Sequence, residues 1–208
     1  MLEKYESEFE RFISVEMIQD PAHDLNHVLR VVQTARKLCQ KEQADLLIVL
    51  PAAYLHDCFT FPKNHPERAS SSAVAAEKAD QFLRSINYPV EKLKAIKHAI
   101  IAHSFSAGIK PTTIEAQIVQ DADRLDALGA IGVSRCLQVS SSFGASLYHS
   151  EDPYAKHRGL DDKSFTLDHF QVKLFKLAEQ MHTSSAKQEA ARRVQFMKLY
   201  IQQLGSEM

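Results

Sequence analysis

Residues Leu46 to Leu55 form the longest uncharged apolar run in the chain, and the run leads straight into His56-Asp57. A segment this apolar goes to the interior and takes its end with it. Burying a histidine and a carboxylate there is unfavourable unless something pairs with them. A divalent cation is one such partner. Whatever fold the chain adopts must bury 46–55 and supply a partner to the pair that follows.

The rest of the chain reads as helix. There are only six glycines in 208 residues and no stretch of strand-like alternation. Residues 2–18 place Tyr5, Phe9, Phe12 and Ile13 on one face, and Asp20-Pro21 ends that helix. A second helix is predicted from about Ala22–Asp24 to Cys39. A third runs from about Ala44 to His56, with Pro51 inside it as a kink or as a fresh first turn. The two prolines of 58–68 make a loop. Helices follow at 70–86, stopped by Asn87-Tyr88-Pro89, and at 90–103. After a turn at 104–111, Thr112 or Thr113 caps the next helix, and Thr112 with Glu115 has capping-box spacing. That helix carries Asp121–Asp126 and is expected to run past Gly129 and Gly132 to about Ser140. Residues 141–164 form a long irregular stretch, of the kind that is usually functional or mobile. Two helices, 165–182 and 185–204, finish the chain. The expectation is an all-α, irregular multi-helix fold, with 1–208 as a single domain.

Composition narrows the partners. Net charge is −1 and the charges are interspersed, so no basic field draws in nucleic acid or a membrane surface. Cys39, Cys58 and Cys136 form no CxxC, which fits a reduced, intracellular setting and buried thiols. The N-terminus is charged and lacks an apolar signal core, and 46–55 is too short to span a bilayer. A soluble, cytoplasmic protein is expected.

Two further regions could complete a site around His56-Asp57. On a helical wheel His27 lies with Val31, Ala35 and Leu38, on the buried side. The plain alternative is a core histidine bonded to a carbonyl. His23 precedes it by one turn but sits nearer the polar edge. The second region is Gln120-Asp121-Ala122-Asp123-Arg124-Leu125-Asp126. Its three carboxylates cannot share one helix face. Asp126 falls inside the apolar arc of Ile118, Ala122, Leu125 and Gly129, with Asp123 and Asp121 at its two edges. A carboxylate entering the interior needs a metal or an arginine, for which Arg30 and Arg124 are candidates.

The ordered set His27 … His56-Asp57 … Asp123, all on helices, resembles the HD-domain superfamily of metal-dependent phosphohydrolases. Residues 23–31, 98–106, 119–132 and 152–173 look like its bacterial YedJ/YpgQ-like branch, so the resemblance covers about 20–200. It implies His27, His56, Asp57 and Asp123 as ligands of one divalent transition metal. Mn²⁺, Ni²⁺, Co²⁺, Fe²⁺ or Zn²⁺ suits such ligands, and Mg²⁺ is admissible. The tetrad Ala122-Asp123-Arg124-Leu125 favours Asp123 as last ligand, whereas the wheel alone favours Asp126. A metal-activated water would attack a phosphoester or phosphoanhydride. Asp57 or Asp126 would take the proton, with Arg124 and Asp121 beside the site.

The substrate expected is a small phosphorylated molecule, a nucleotide by resemblance, with nucleoside triphosphate pyrophosphohydrolysis as its extension. Lys63, His65 and Arg68 in the loop after the pair are candidates for binding phosphate. So are Lys156, His157, Arg158 and Lys163 in the long loop, and Lys173 after it. Phe59 and Phe61 could stack on a base or fill the core. His98 and His103 are expected to touch substrate or to hydrogen-bond to the groups around the metal, and His103 could turn inward if its helix ends at Ile101. On one helix they lie about 140° apart, which argues against shared ligation of a second metal. Two alternatives stand: a di-iron HD-type oxygenase, which needs both of those histidines as ligands, and a non-catalytic nucleotide-sensing module.

Overall fold

In a computed structural model of the chain, Pro51 lies in the middle of helix α3 (Leu46–Leu55), whose residues Val49 to Leu55 are all buried. The structure describes residues 2–17, 24–62, 65–104 and 107–208. Asp45 caps α3 by accepting from the Leu47 N–H at 2.8 Å. Proline has no N–H, so Pro51 leaves the carbonyl of Leu47, four residues back, without its helical donor. The hydroxyl of Tyr88 fills that place, donating to Leu47 O at 2.7 Å. The helix therefore neither stops nor restarts at Pro51.

The fold is all-α. The described residues hold no sheet, only an isolated parallel bridge between Ser146 and Phe165. They divide into two compact units, residues 1–123 with His182–Ser185, and residues 124–181 with 186–208.

The first unit is built on α3. Helices α1 (Leu2–Glu16), α2 (Leu25–Glu42) and α5 (Val90–His103) pack against it, and α4 (Ser71–Ser85) packs on α5. Phe9 and Ile13 of α1 are fully buried, as the periodicity of 2–18 requires. Tyr54 of α3 donates its hydroxyl between Glu10 Oε1 at 3.1 Å and Glu6 Oε2 at 3.2 Å. Helix α6 (Ile114–Asp126) carries the Asp-rich segment, and its cap is Thr113, whose Oγ1 accepts from the Ala116 N–H at 3.2 Å. Thr112 bonds elsewhere, so the capping-box reading does not hold.

The second unit contains α7 (Gly129–Ser142), α8 (Thr166–His169), a π-helical turn (Phe170–Leu174), α9 (Phe175–Glu179) and α10, which spans Ser184–Ser206 and lies in this unit from Ala186. Two sequence expectations are corrected here. The Asp-rich helix does not run on to Ser140. It ends at Asp126, and α7 starts afresh at Gly129, whose φ of +73° a side chain rarely adopts. At Gly132 a Cβ would lie 2.2 Å from Ala127 O, so only glycine lets α7 pack this close to the turn before it. The helix expected at 165–182 is likewise three short pieces joined through the π turn, ending at Glu179. Among the described residues no helix is long and apolar enough to cross a membrane. All three cysteines are free and buried.

Candidate metal centre

Four helix ends or first turns bring the chemistry together. Asp24 caps α2 by accepting from the His27 N–H at 2.7 Å, which sets His27 in the first turn, 1% exposed. His56 stands where α3 ends, and Asp57 follows in the turn. His103 is the last residue of α5, and Asp123 opens the last turn of α6. His27 Nε2 is 3.8 Å from Asp57 Oδ2 and 3.4 Å from Asp123 Oδ1. His56 Nε2 is 3.4 Å from Asp57 Oδ2, and His103 Nε2 is 3.5 Å from Asp57 Oδ1. His56 packs edge-on between the other two rings, with centroids 5.6 Å from His27 and 4.8 Å from His103.

The hydrogen bonds fix what these atoms offer. A carbonyl oxygen only accepts, so His56 Nδ1 donates to Ala53 O at 2.8 Å and His103 Nδ1 donates to Ile100 O at 2.5 Å. In a neutral ring, Nε2 is then a lone pair. Both lone pairs point at Asp57. Acceptor facing acceptor is repulsive unless a cation lies among them. His56 Nε2 is buried and completes no hydrogen bond among the described residues. Burial by itself would lower the His56 pKa, but the charges of Asp57 and then Asp123 push it up to about 9. Burial would raise both carboxyls, yet His56 and His103 hold Asp57 well below the usual carboxylate range, and His27 does the same for Asp123. The cluster therefore keeps its carboxylates ionised and calls for positive charge, which a proton on His56 supplies without a metal and a cation would supply in that proton's place.

A divalent metal fits that demand. One ligand atom from each of His27, His56 and Asp57 lies within 4.8 Å of the others. Two atoms that each sit ~2.1 Å from one ion are roughly 3–4 Å apart, which spans the separations seen here. His27, His56 and Asp57 are positioned to hold a metal.

Comparison with known proteins gives this arrangement its family. A model of the HD domain matches residues 24–128. The chain belongs to the HD-domain family. Over 194 residues this HD protein is 32% identical to the protein YpgQ of Bacillus subtilis, covering 91% of this chain and 86% of that one. The crystal structure of B. subtilis YpgQ in complex with ADP superposes with a TM-score of 0.74 at 30% identity, over 97% and 94% of the two chains. That of an HD-superfamily hydrolase from Bacillus thuringiensis gives 0.77 at 30% identity, over 100% and 98%. HD domains bind divalent metals, and the matched stretch contains His27, His56 and Asp57.

The other candidate residues have local partners of their own. Asp126 is buried and accepts from Arg135 Nη1 at 2.8 Å, and Arg124 Nη1 donates to Gln180 O at 2.8 Å. Asp121 is fully buried, and it is met by backbone and hydroxyl donors at His182 and Thr183 rather than by a cation. His98 Nε2 accepts from the Thr112 N–H at 3.0 Å, which ties it to the turn before α6. In the loop after Asp57, His65 stacks flat on Phe61 at 4.3 Å, and Phe59 meets Phe61 edge-on at 4.8 Å. Arg68 Nη1 donates to Phe61 O at 2.5 Å. His23 and Lys63 lie outside the described residues.

The basic loop of the second unit is stitched to itself. Arg158 forms a fork on the buried carboxylate of Asp168, at 2.6 and 2.9 Å. Asp152 accepts from the N–H groups of Lys156 and His157, whose side chains are exposed. Lys163 is exposed, its N–H donating to Asp161 Oδ1, and Lys173 is exposed on the π turn. His103, expected at the end of its helix to meet substrate or to hydrogen-bond beside the site, is the last residue of α5. Its ring folds back onto Ile100 O, three residues earlier, and this turns Nε2 inward to 3.5 Å from Asp57 Oδ1.

Proposed function

We propose that this HD domain is a metal-dependent phosphohydrolase acting on the phosphoanhydride or phosphoester of a nucleotide, with His27, His56, Asp57 and Asp123 as its metal ligands. The observation that carries the proposal is the convergence of imidazole lone pairs and ionised carboxylates at Asp57. When bound, the metal supplies a water of lowered pKa and withdraws charge from a phosphoryl group. His56 Nδ1 and His103 Nδ1, each bonded to a backbone carbonyl, aim the two Nε2 atoms at the two oxygens of Asp57. Asp57 Oδ1, on the His103 side, is the oxygen placed to take a proton from the attacking water, and His103 stabilises it there. His103 also stands ready to touch substrate phosphate. The Phe59–Phe61–His65 stack follows Asp57 directly and offers an aromatic surface for a base. Arg68, bonded to Phe61 O, holds that stack in place.

The nucleotide part of the proposal draws on the ADP complex of YpgQ, a protein 30% identical to this one. The relatives match over both units, which supports treating 1–208 as one functional module. Free, buried thiols support a reducing, cytoplasmic setting. The oxygenase alternative needs His98 at the metal, and His98 Nε2 is already bonded to Thr112.

The test is a panel of nucleoside mono-, di- and triphosphates with Mn²⁺, Ni²⁺, Co²⁺ or Mg²⁺, reading phosphate and pyrophosphate release. At least one nucleotide should be turned over, chelation should abolish the activity, and Asp57→Asn should reduce it by about 100-fold or more. Metal-loaded protein that binds nucleotides without turning any over would make the domain a sensor instead.

A further inference from the structure

The residues on either side of the metal centre are braced by a group that no metal argument requires. Helix α5 ends at His103, so the carbonyls of its last turn have no donor within the helix. His103 itself satisfies Ile100 O. Ala102 O is satisfied from another helix: Gln120 Nε2 of α6 donates to it at 2.6 Å. That bond fixes the Gln120 amide, because only the nitrogen can donate to a carbonyl. Gln120 Oε1 must then accept, and His182 Nε2 donates to it at 2.6 Å. Gln120 is 3% exposed.

Of the four residues His182–Ser185 that belong to the first unit, three are held by side chains of α2 and α6. Asp121 accepts from the His182 N–H at 2.9 Å and from both the N–H and the hydroxyl of Thr183 at 2.8 Å. Glu42 of α2 accepts from the Ser185 N–H at 2.8 Å. The segment is thus a fixed anchor behind Gln120. Asp123 stands three residues after Gln120, a spacing that puts the two on neighbouring parts of one helix face.

We propose that Gln120, held by His182, is a positioning residue for the metal centre. It braces the end of α5, which carries His103, against the part of α6 that carries Asp123. The inference rests on the metal-site reading above. Without the brace the two helices keep their apolar packing, but the groups on either side of Asp57 lose a fixed separation.

The readout is Mn²⁺ affinity of the full-length protein by calorimetry, with the thermal midpoint measured on the same samples. Gln120→Leu removes both bonds, and Gln120→Glu keeps the acceptor for His182 but loses the donor to Ala102 O. Both should weaken Mn²⁺ binding by ~10-fold. His182→Leu should weaken it too, and His182→Gln, which retains a donor, should restore most of the loss. Arg36→Met, which removes an ion pair with Glu6 in the same unit, should lower the midpoint and leave Mn²⁺ affinity unchanged. Folded Gln120 variants with wild-type affinity would overturn the proposal. If they do not fold, equal affinity of His182→Leu and His182→Gln would overturn it as well. Wild-type protein that binds no Mn²⁺ would instead remove the metal-site reading itself.

Discussion

Two regions of this chain are rich in histidine, aspartate and arginine, and they use them in opposite ways. Around Asp57, three imidazoles and two carboxylates face one another, and His56 and His103 make backbone bonds through the far side of their rings. In residues 152–168 each carboxylate is filled. Asp152 and Asp161 accept from nearby N–H groups, and Asp168 takes the Arg158 fork and the Asp161 N–H. Arg158 also lies over the Phe165 ring at 4.7 Å. Among the described residues the first region leaves the buried His56 Nε2 facing a carboxylate, and the second gives its carboxylates donors close by in sequence. A density of charged residues therefore says little about function. What separates a site from a clasp is whether its acceptors still lack positive charge once the local donors are counted.

The largest contrast is expected from single carboxylates. Asp57→Asn should weaken Mn²⁺ binding by about 100-fold or more, because it removes a ligand and the charge that both rings face. Its metal-free fold should persist. Calorimetric titration and a melt in chelator check both halves. Asp168→Asn should do the reverse. It leaves the Arg158 guanidinium half-matched beside a buried group, and the thermal midpoint should fall by roughly 5–10 °C with Mn²⁺ affinity unchanged. If Asp168→Asn abolished metal binding, the division between the two regions would collapse.

Removing the metal should be felt as a midpoint shift of similar size. With ion at about 100 times its dissociation constant, binding stabilises the fold by ~2.7 kcal/mol, or roughly 5–10 °C in the midpoint. Chelator should reverse that shift in wild-type protein and leave Asp57→Asn unmoved.

The smallest effect concerns a carboxylate of the second unit. Hydrogen bonds from Arg192, with further help from Arg193, hold Glu189 down to about 2, against an ordinary 4.5. A carboxyl lowered on folding stabilises the protein above its unfolded pKa, and that stability is lost as pH falls through the folded value. Wild-type stability should therefore decline between pH 4.5 and about 2. Glu189→Gln should flatten part of that decline, as read from urea midpoints at several pH values.

Much of the first unit could be read from residue order. The apolar run 46–55 had to be buried, His27 shared a face with Val31, Ala35 and Leu38, and helix ends fell within a few residues of Asn87-Tyr88-Pro89 and His103. What escaped was set by distant parts of the chain. The wheel put Asp126 in the interior, and it is buried, but a helix that stops at Asp126 for the sake of Gly129 gives it Arg135 as partner. Asp121 was expected to need a cation if it entered the core. Its donors come from His182 and Thr183, some sixty residues later, and nothing local announces them. The long stretch 141–164 was expected to be functional or mobile because of its length; the bonds by which Asp152, Asp161 and Asp168 order it come from its own neighbours, and its composition did not announce them. The π turn at Phe170–Leu174 left no mark in the periodicity.

Anomalous diffraction from crystals soaked in Mn²⁺ tests the central claim most directly. The expected result is a strong peak bounded by His27 Nε2, His56 Nε2, Asp57 and Asp123, with Asp126 still on Arg135. A peak coordinated by Asp126 in place of Asp123, or no peak within reach of His56 and Asp57, would contradict it.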